Sequence, residues 1–219
     1  MAETSLVVLF LVLSTCVGCA HSKNDLAGDP ALVPAIRHEA TRRSSGRVRV
    51  VMGEDLRVST EKSHHNLVDH YVTDSGLRQP AGVALPVVFA REMDRSGLFA
   101  GATAGEAPEA TYRLELVAHQ FEGTWPGGAW NVFVPWSEVR VTGAVDIEVK
   151  FWGKDATGAM KDLLFYDRYK RESSRLVGAW DDGYRAAAEE LGKALHLVIG
   201  EFLVNLEKEM PEFGLPEGN

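Results

Sequence analysis

The sequence predicts an α+β domain: a mostly antiparallel sheet with two helices packed on one face, in the order β-α-β-β-β-α. Three stretches predict it. "WSEVRVTGAVDIEVKFW" (Trp136–Trp152) alternates Val139, Val141, Val145, Ile147, Val149 and Phe151 with Arg140, Thr142, Asp146, Glu148 and Lys150. That is the period of a strand with one buried and one wet face. "LPVVFAREMDRSGLF" (Leu85–Phe99) carries apolar residues at 85, 88, 89 and 93, the spacing of an amphipathic helix. Tyr184, Ala188, Leu191, Leu195, Val198, Phe202 and Leu206 form one stripe of a second, final helix. It has about 28 residues and would be roughly 42 Å long at 1.5 Å per residue.

The other elements follow in chain order. "RVRVVM" (Arg47–Met52) alternates basic and apolar residues and reads as a first strand, with Val48 and Val50 on one face. A long connection, Gly53–Gly82, leads to the first helix, where Pro86 is expected in the first turn and Gly97 supplies the stop. Leu98 and Phe99 would then fold back onto the core. "ATYRLELVAHQFEG" (Ala110–Gly123) sets Tyr112, Leu114, Leu116 and Ala118 on one side of a strand. After Trp136–Trp152, "GKDATGAM" makes a turn and Leu163–Ser173 returns as the hairpin partner. Asp181 is the expected N-cap of the last helix. Gly192 and Gly200 inside that helix each cost about 1 kcal/mol relative to Ala, which points to another backbone approaching closely there. The globular domain is placed at 47–210, with 211–219 as a loose tail.

The chain has 219 residues, 45% hydrophobic and 25% charged, which is globular composition for one domain with appendages. A formal charge of −8 argues against a general nucleic-acid binder, whose footprint is basic.

The two cysteines, Cys16 and Cys19, close the segment that starts with the apolar run "LVVLFLVL" (Leu6–Leu13). That run is too short to span a bilayer and has the length of a signal-peptide core. No thiols elsewhere could complete a disulfide framework or a zinc site. "CVGC" followed by Ala20 resembles a bacterial lipobox, which implies that residues 1–18 are a lipoprotein signal peptide. Cys19 would then carry lipid on its thiol and amine. An ordinary secretory signal is the alternative reading. Several acyl chains, at about 0.8 kcal/mol per buried CH₂, hold a protein at a membrane without a spanning helix. By the enteric sorting code, Ala20 implies the outer membrane with the body facing the periplasm. Residues 19–46, polar and broken by Gly28, Pro30 and Pro34, read as the lipidated cysteine and a flexible tether. As coil, they would reach roughly 30 Å.

"VRVVM", "ALPVVFAREMDRSGLF", "ATYRLELVAHQFEG" and the final helix together make most of 47–207 similar to a broad group of bacterial envelope lipoproteins. Their domain is like the N-terminal domain of TolB. The group includes the curli-secretion lipoprotein CsgG, penicillin-binding-protein activators, PelC-type lipoproteins and auxiliary lipoproteins of lipid-transporting ABC systems. The resemblance implies a binding or assembly role, often as a homo-oligomer, with other envelope proteins as partners and no catalysis.

Two loops carry the residues with chemistry. "KSHHNLVDH" (Lys62–His70) gathers His64, His65, Asp69 and His70, all metal-ligand types, but at no familiar zinc spacing. A solvated loop and a metal-handling loop are the two readings. "TWPGGAWNVFVPW" (Thr124–Trp136) holds Trp125, Trp130, Phe133 and Trp136. These rings either close one end of the core or form an exposed tip for a membrane or partner, since an indole has one apolar end and a wet N–H. His119 and His196 read as packing or surface residues. No nucleophile elbow, phosphate loop or dinucleotide fingerprint is present, so no enzyme and no cofactor is expected. The leading expectation is a lipid-anchored accessory protein of an envelope transport or secretion machine. A lipid- or small-ligand-binding lipoprotein using a sheet–helix cleft is the alternative, and a metal-handling one built on His64, His65 and His70 is the second.

Overall fold

A computed structural model describes residues 23–57, 70–126, 138–178 and 181–213. Its centre is the expected hairpin. Strands β5 (Glu138–Lys154) and β6 (Met160–Gly178) pair antiparallel from Glu138↔Gly178 to Lys154↔Met160. The turn between them is built by Asp155, whose Oδ1 accepts hydrogen bonds from the Thr157 and Ala159 N–H groups at 2.8 and 2.9 Å. Gly158 supplies the left-handed residue at φ 81°.

The remaining strands are β1 (Ser44–Asp55), β2 (His70–Val72), β3 (Phe99–Ala104) and β4 (Tyr112–Trp125). The sheet order is β3-β1-β4-β5-β6, with β2 pairing antiparallel to the far end of β4. β1 is parallel to β3 and β4; the other pairings are antiparallel. Helices α1 (Ala81–Ser96) and α2 (Gly183–Glu209) cover one face. The α+β class and the single helical layer agree with the sequence. β2 and β3 are additions, because three residues of "HYV" and the Ala/Gly-rich "FAGATA" carry almost no strand pattern.

Helix boundaries differ too. α1 begins four residues before Leu85, so Pro86 sits in its second turn. Pro80 at the N-cap offers no side-chain cap. Asp74 replaces it, accepting from Ala81 N–H at 2.9 Å. The cap of α2 is Asp182, not Asp181: Asp182 Oδ1 accepts from Arg185 N–H at 3.0 Å, while Asp181 accepts from Gly178 N–H at 2.8 Å.

One core lies between sheet and helices. Phe89 of α1 meets Phe202 of α2 at 5.9 Å between ring centroids, and Phe202 also meets Tyr169 and Phe165 of β6. Phe99, Tyr112 and Phe151 form a second aromatic cluster, next to the first through the register pair Phe151↔Phe165. The register pair Gly123↔Gly143 lets α2 cross the sheet backbone to backbone. A Cβ on Gly143 would overlap Glu190 and Leu191, and one on Gly123 would meet the Ala187 carbonyl at 2.7 Å.

The expected flexible tether is corrected from residue 24 onward. Leu32 and Val33 are 0% exposed and belong to the core, as does Leu26. Residues 24–43 form a strap laid over the helices. Its polarity, which suggested a linker, is consumed in pairing: Asp29 with Arg185, Thr41 with Glu207, and backbone carbonyls of Ala27 and Val33 with Arg91. The folded unit therefore begins near Asn24 rather than Arg47. At the other end, Met210–Phe213 form a short 3-10 turn.

Candidate functional site

Many chain ends converge at one end of the sheet. The last residues of β4 and β6 and the first of β5 lie there with β2 and the N-termini of both helices, while β1 runs toward it and stops at Asp55, opposite Ala118 and seven residues short of Trp125. His70 pairs with Trp125, and Glu138 with Gly178. The segments carrying the candidate loops, 58–69 and 127–137, are flanked on both sides by residues of this end. His64, His65, Asp69, Trp130, Phe133 and Trp136, like Cys19, lie outside the described residues.

Trp125 is half-buried and packs against the core, its ring filling the space beside Gly183 at the first residue of α2. The Tyr184 hydroxyl similarly fills the space beside Gly76, and burial pushes its pKa up. Among the described residues, no group of three His, Cys, Asp or Glu side chains is placed to hold a metal ion.

A charge node that sequence reasoning missed braces this end. Arg57 Nε lies 2.7 Å from Asp55 Oδ1, and its two terminal nitrogens each lie 2.9 Å from an oxygen of Asp74. These hydrogen bonds hold both carboxyls below the usual carboxylate range and push the guanidinium pKa up. Asp74 also caps α1, so one carboxylate ties the end of β1 to the helix layer. The "EDLR" of residues 54–57 was the available signal, but Asp74 lies 17 residues on from Arg57.

The open face of the sheet is a second surface. Asp146 pairs with Arg168 at 2.7 Å, Lys150 with Glu148 at 3.0 Å, and Arg113 with Glu115 at 3.1 Å, while Arg113 stacks over Trp152. His119 belongs here, 3.4 Å from Glu148. Arg168 holds Asp146 below its ordinary pKa. Each charged group named here has an opposite charge beside it, which suits a structural charge lattice.

β6 is the outer strand on this side, 19 residues long, and among the described residues nothing pairs with its free edge. Leu163, Tyr166 and Leu176 on it are about half exposed, at 49, 55 and 54%. The expected sheet–helix cleft is instead filled: Phe89, Phe151, Phe202, Leu114, Leu116 and Leu191 are completely buried there. A depression of about 230 Å³ lies beside β3, lined by Arg47, Asp94, Gly101, Thr103 and Glu109 among others.

Over 84% of this chain and 97% of the other, the structure matches a DUF330 protein from Xanthomonas campestris, with a TM-score of 0.54 at 14% identity. The two share a fold. More distant likenesses include PelC, a dodecamer from Paraburkholderia phytofirmans, with a TM-score of 0.34, 13% identity and coverage of 76% of this chain and 91% of that one. A minor lipoprotein from Acinetobacter baumannii gives 0.28, 10% identity and coverage of 81% and 98%. No family model and no curated protein matches the sequence. The grouping with TolB and CsgG rests on sequence pattern.

Proposed function

We propose that this chain is a lipid-anchored, periplasm-facing accessory protein of a bacterial envelope transport or assembly machine, working by protein–protein contact. Acylation of Cys19 follows from "CVGCA" and the short apolar run before it. The observation that carries the contact role is the free edge of β6. A 19-residue strand whose outer side is unpaired among the described residues is a ready template for another strand or for a neighbouring copy. Its charged residues, Lys161, Asp162, Arg168 and Lys170, are the devices that keep such an edge from pairing indiscriminately. Filled space between sheet and helices favours this reading over a ligand cleft. The satisfied charge lattice favours it over catalysis.

The test is a photo-crosslinking amino acid placed at Tyr166 or Leu176 in cells, compared with Val204, which is 54% exposed on α2. Adducts to a second copy or to another envelope protein should form from 166 and 176 and not from 204. The same pattern from all three positions, or no adduct from any, contradicts the proposal.

A further inference from the structure

Asn24 is where the N-terminal segment first ties into the domain. Its N–H donates to the Gly76 carbonyl at 3.0 Å, and its carbonyl accepts from Arg78 N–H at 2.8 Å. From there the strap follows α2 in order. Asp29 pairs with Arg185 at 2.8 Å, the Leu32 carbonyl rests on Gly192, and the His196 ring meets the Pro34 carbonyl at 3.0 Å. Glu207 then accepts from the Thr41 and Arg42 N–H groups at 2.6 and 2.9 Å. Asn24 therefore sits at the end of the domain that holds the first turn of α2, Trp125 and Tyr184, and the strap ends at the opposite one.

Five residue steps separate Cys19 from Asn24. Fully extended, they span at most about 18 Å, whereas the 27 residues of α2 are roughly 40 Å long. Acyl chains on Cys19 thus cannot reach a bilayer lying at the far end. We infer that the end carrying Asn24, Leu77, Trp125 and the N-terminus of α2 faces the phospholipid headgroup layer at close range, an inference that rests on the lipidated Cys19 proposed above. β6 then runs outward from Gly178, nearest the lipid, to Met160, and presents its free edge sideways to neighbours on the same membrane.

Three arginines at this end are matched, Arg57 with Asp55 and Asp74, Arg78 with Asp25, and Arg185 with Asp29, and a fourth, Arg140, meets the Ser174 hydroxyl. The acyl chains, rather than charge, hold the contact, so its salt dependence is small.

The experiment uses the full mature lipoprotein in vesicles of phosphatidylethanolamine and phosphatidylglycerol that carry a headgroup-linked energy acceptor. A donor dye is attached to a single introduced cysteine, at G82C near the anchored end or at K208C at the far one. A side chain at Gly82 meets open space, and Lys208 is exposed, so neither change disturbs packing. Transfer several-fold more efficient from 82 than from 208, in low and high salt alike, is expected. Equal or reversed transfer overturns the inference. Intact mass of the same sample separates the two failures: an unacylated chain that stays off the vesicles refutes the anchor, whereas an acylated chain with equal transfer refutes the orientation alone. Inserting about 20 Gly/Ser residues between Ala20 and Lys23 supplies a coil reach of roughly 25 Å and should abolish the difference; an unchanged difference refutes the short link as its cause.

Discussion

The carbonyl of Leu32 occupies the space that any side chain on Gly192 would need. The strap and α2 therefore touch backbone to backbone, and the two glycines in the interior of α2, Gly192 and Gly200, behave differently. Gly192→Ala gains about 1 kcal/mol of helix propensity but forces the strap away, for a net loss of about 1–2 kcal/mol. At Gly200 the nearest atom is Ile36 Cγ2 at 4.0 Å, so Gly200→Ala is stabilising by up to about 1 kcal/mol. Urea unfolding of the two variants should shift the midpoint in opposite directions.

Leu32 tests whether the strap is part of the folded unit. Its side chain is 0% exposed within the core. Leu32→Ala should cost about 2–5 kcal/mol, measured by denaturant titration. A linker residue would show no change.

Glu92 of α1 is the buried carboxylate that fastens the middle of the strap. It accepts from Ile36 N–H at 3.1 Å and from Arg91 and Arg95 at 2.6 and 3.0 Å, with its own side chain fully buried. Glu92→Ala leaves the Ile36 amide and two arginines without their partner, a loss of about 2 kcal/mol. Hydrogen exchange at Ile36 should accelerate more than exchange in β5.

Acid should unfold the protein by a defined route. Arg57 hydrogen bonds hold Asp55 and Asp74 below their ordinary pKa, Arg168 does so for Asp146, and Arg185 for Asp29. For Glu207, burial acts upward, but the donors of Thr41 and Arg42 outweigh it and the pKa is lowered. The folded state thus binds fewer protons than the unfolded one. This stability is complete above the unfolded carboxylate pKa of about 4 and is lost as pH falls through the lowered folded values. Urea midpoints should be flat near neutrality and drop in acid. Arg57→Met should lower the neutral value and flatten the acid decline; stability that rises on acidification would contradict this.

Much of this fold was legible in one dimension because its central elements bury one face. Val141, Val145, Ile147 and Val149 announce β5, and the stripe from Leu191 to Leu206 announces α2, since period and burial agree there. Gly192 was also informative: a glycine inside a helix signalled a close backbone, although not which one. The strap was hidden because it has no period, and its order comes from partners up to 166 residues away, as Thr41 and Glu207 show. β3 was hidden because Ala and Gly take strand geometry only when β1 and α1 hold them there. The converging end of the sheet, with Arg57, Asp74 and Trp125, is a product of topology and has no sequence motif.

The anchor itself is tested most directly by the intact mass of the chain extracted from membranes. The account predicts a mature polypeptide that begins at Cys19 and weighs more than its residues by the mass of its acyl groups. A soluble chain with the unmodified mass, or one that begins at another residue, would contradict it.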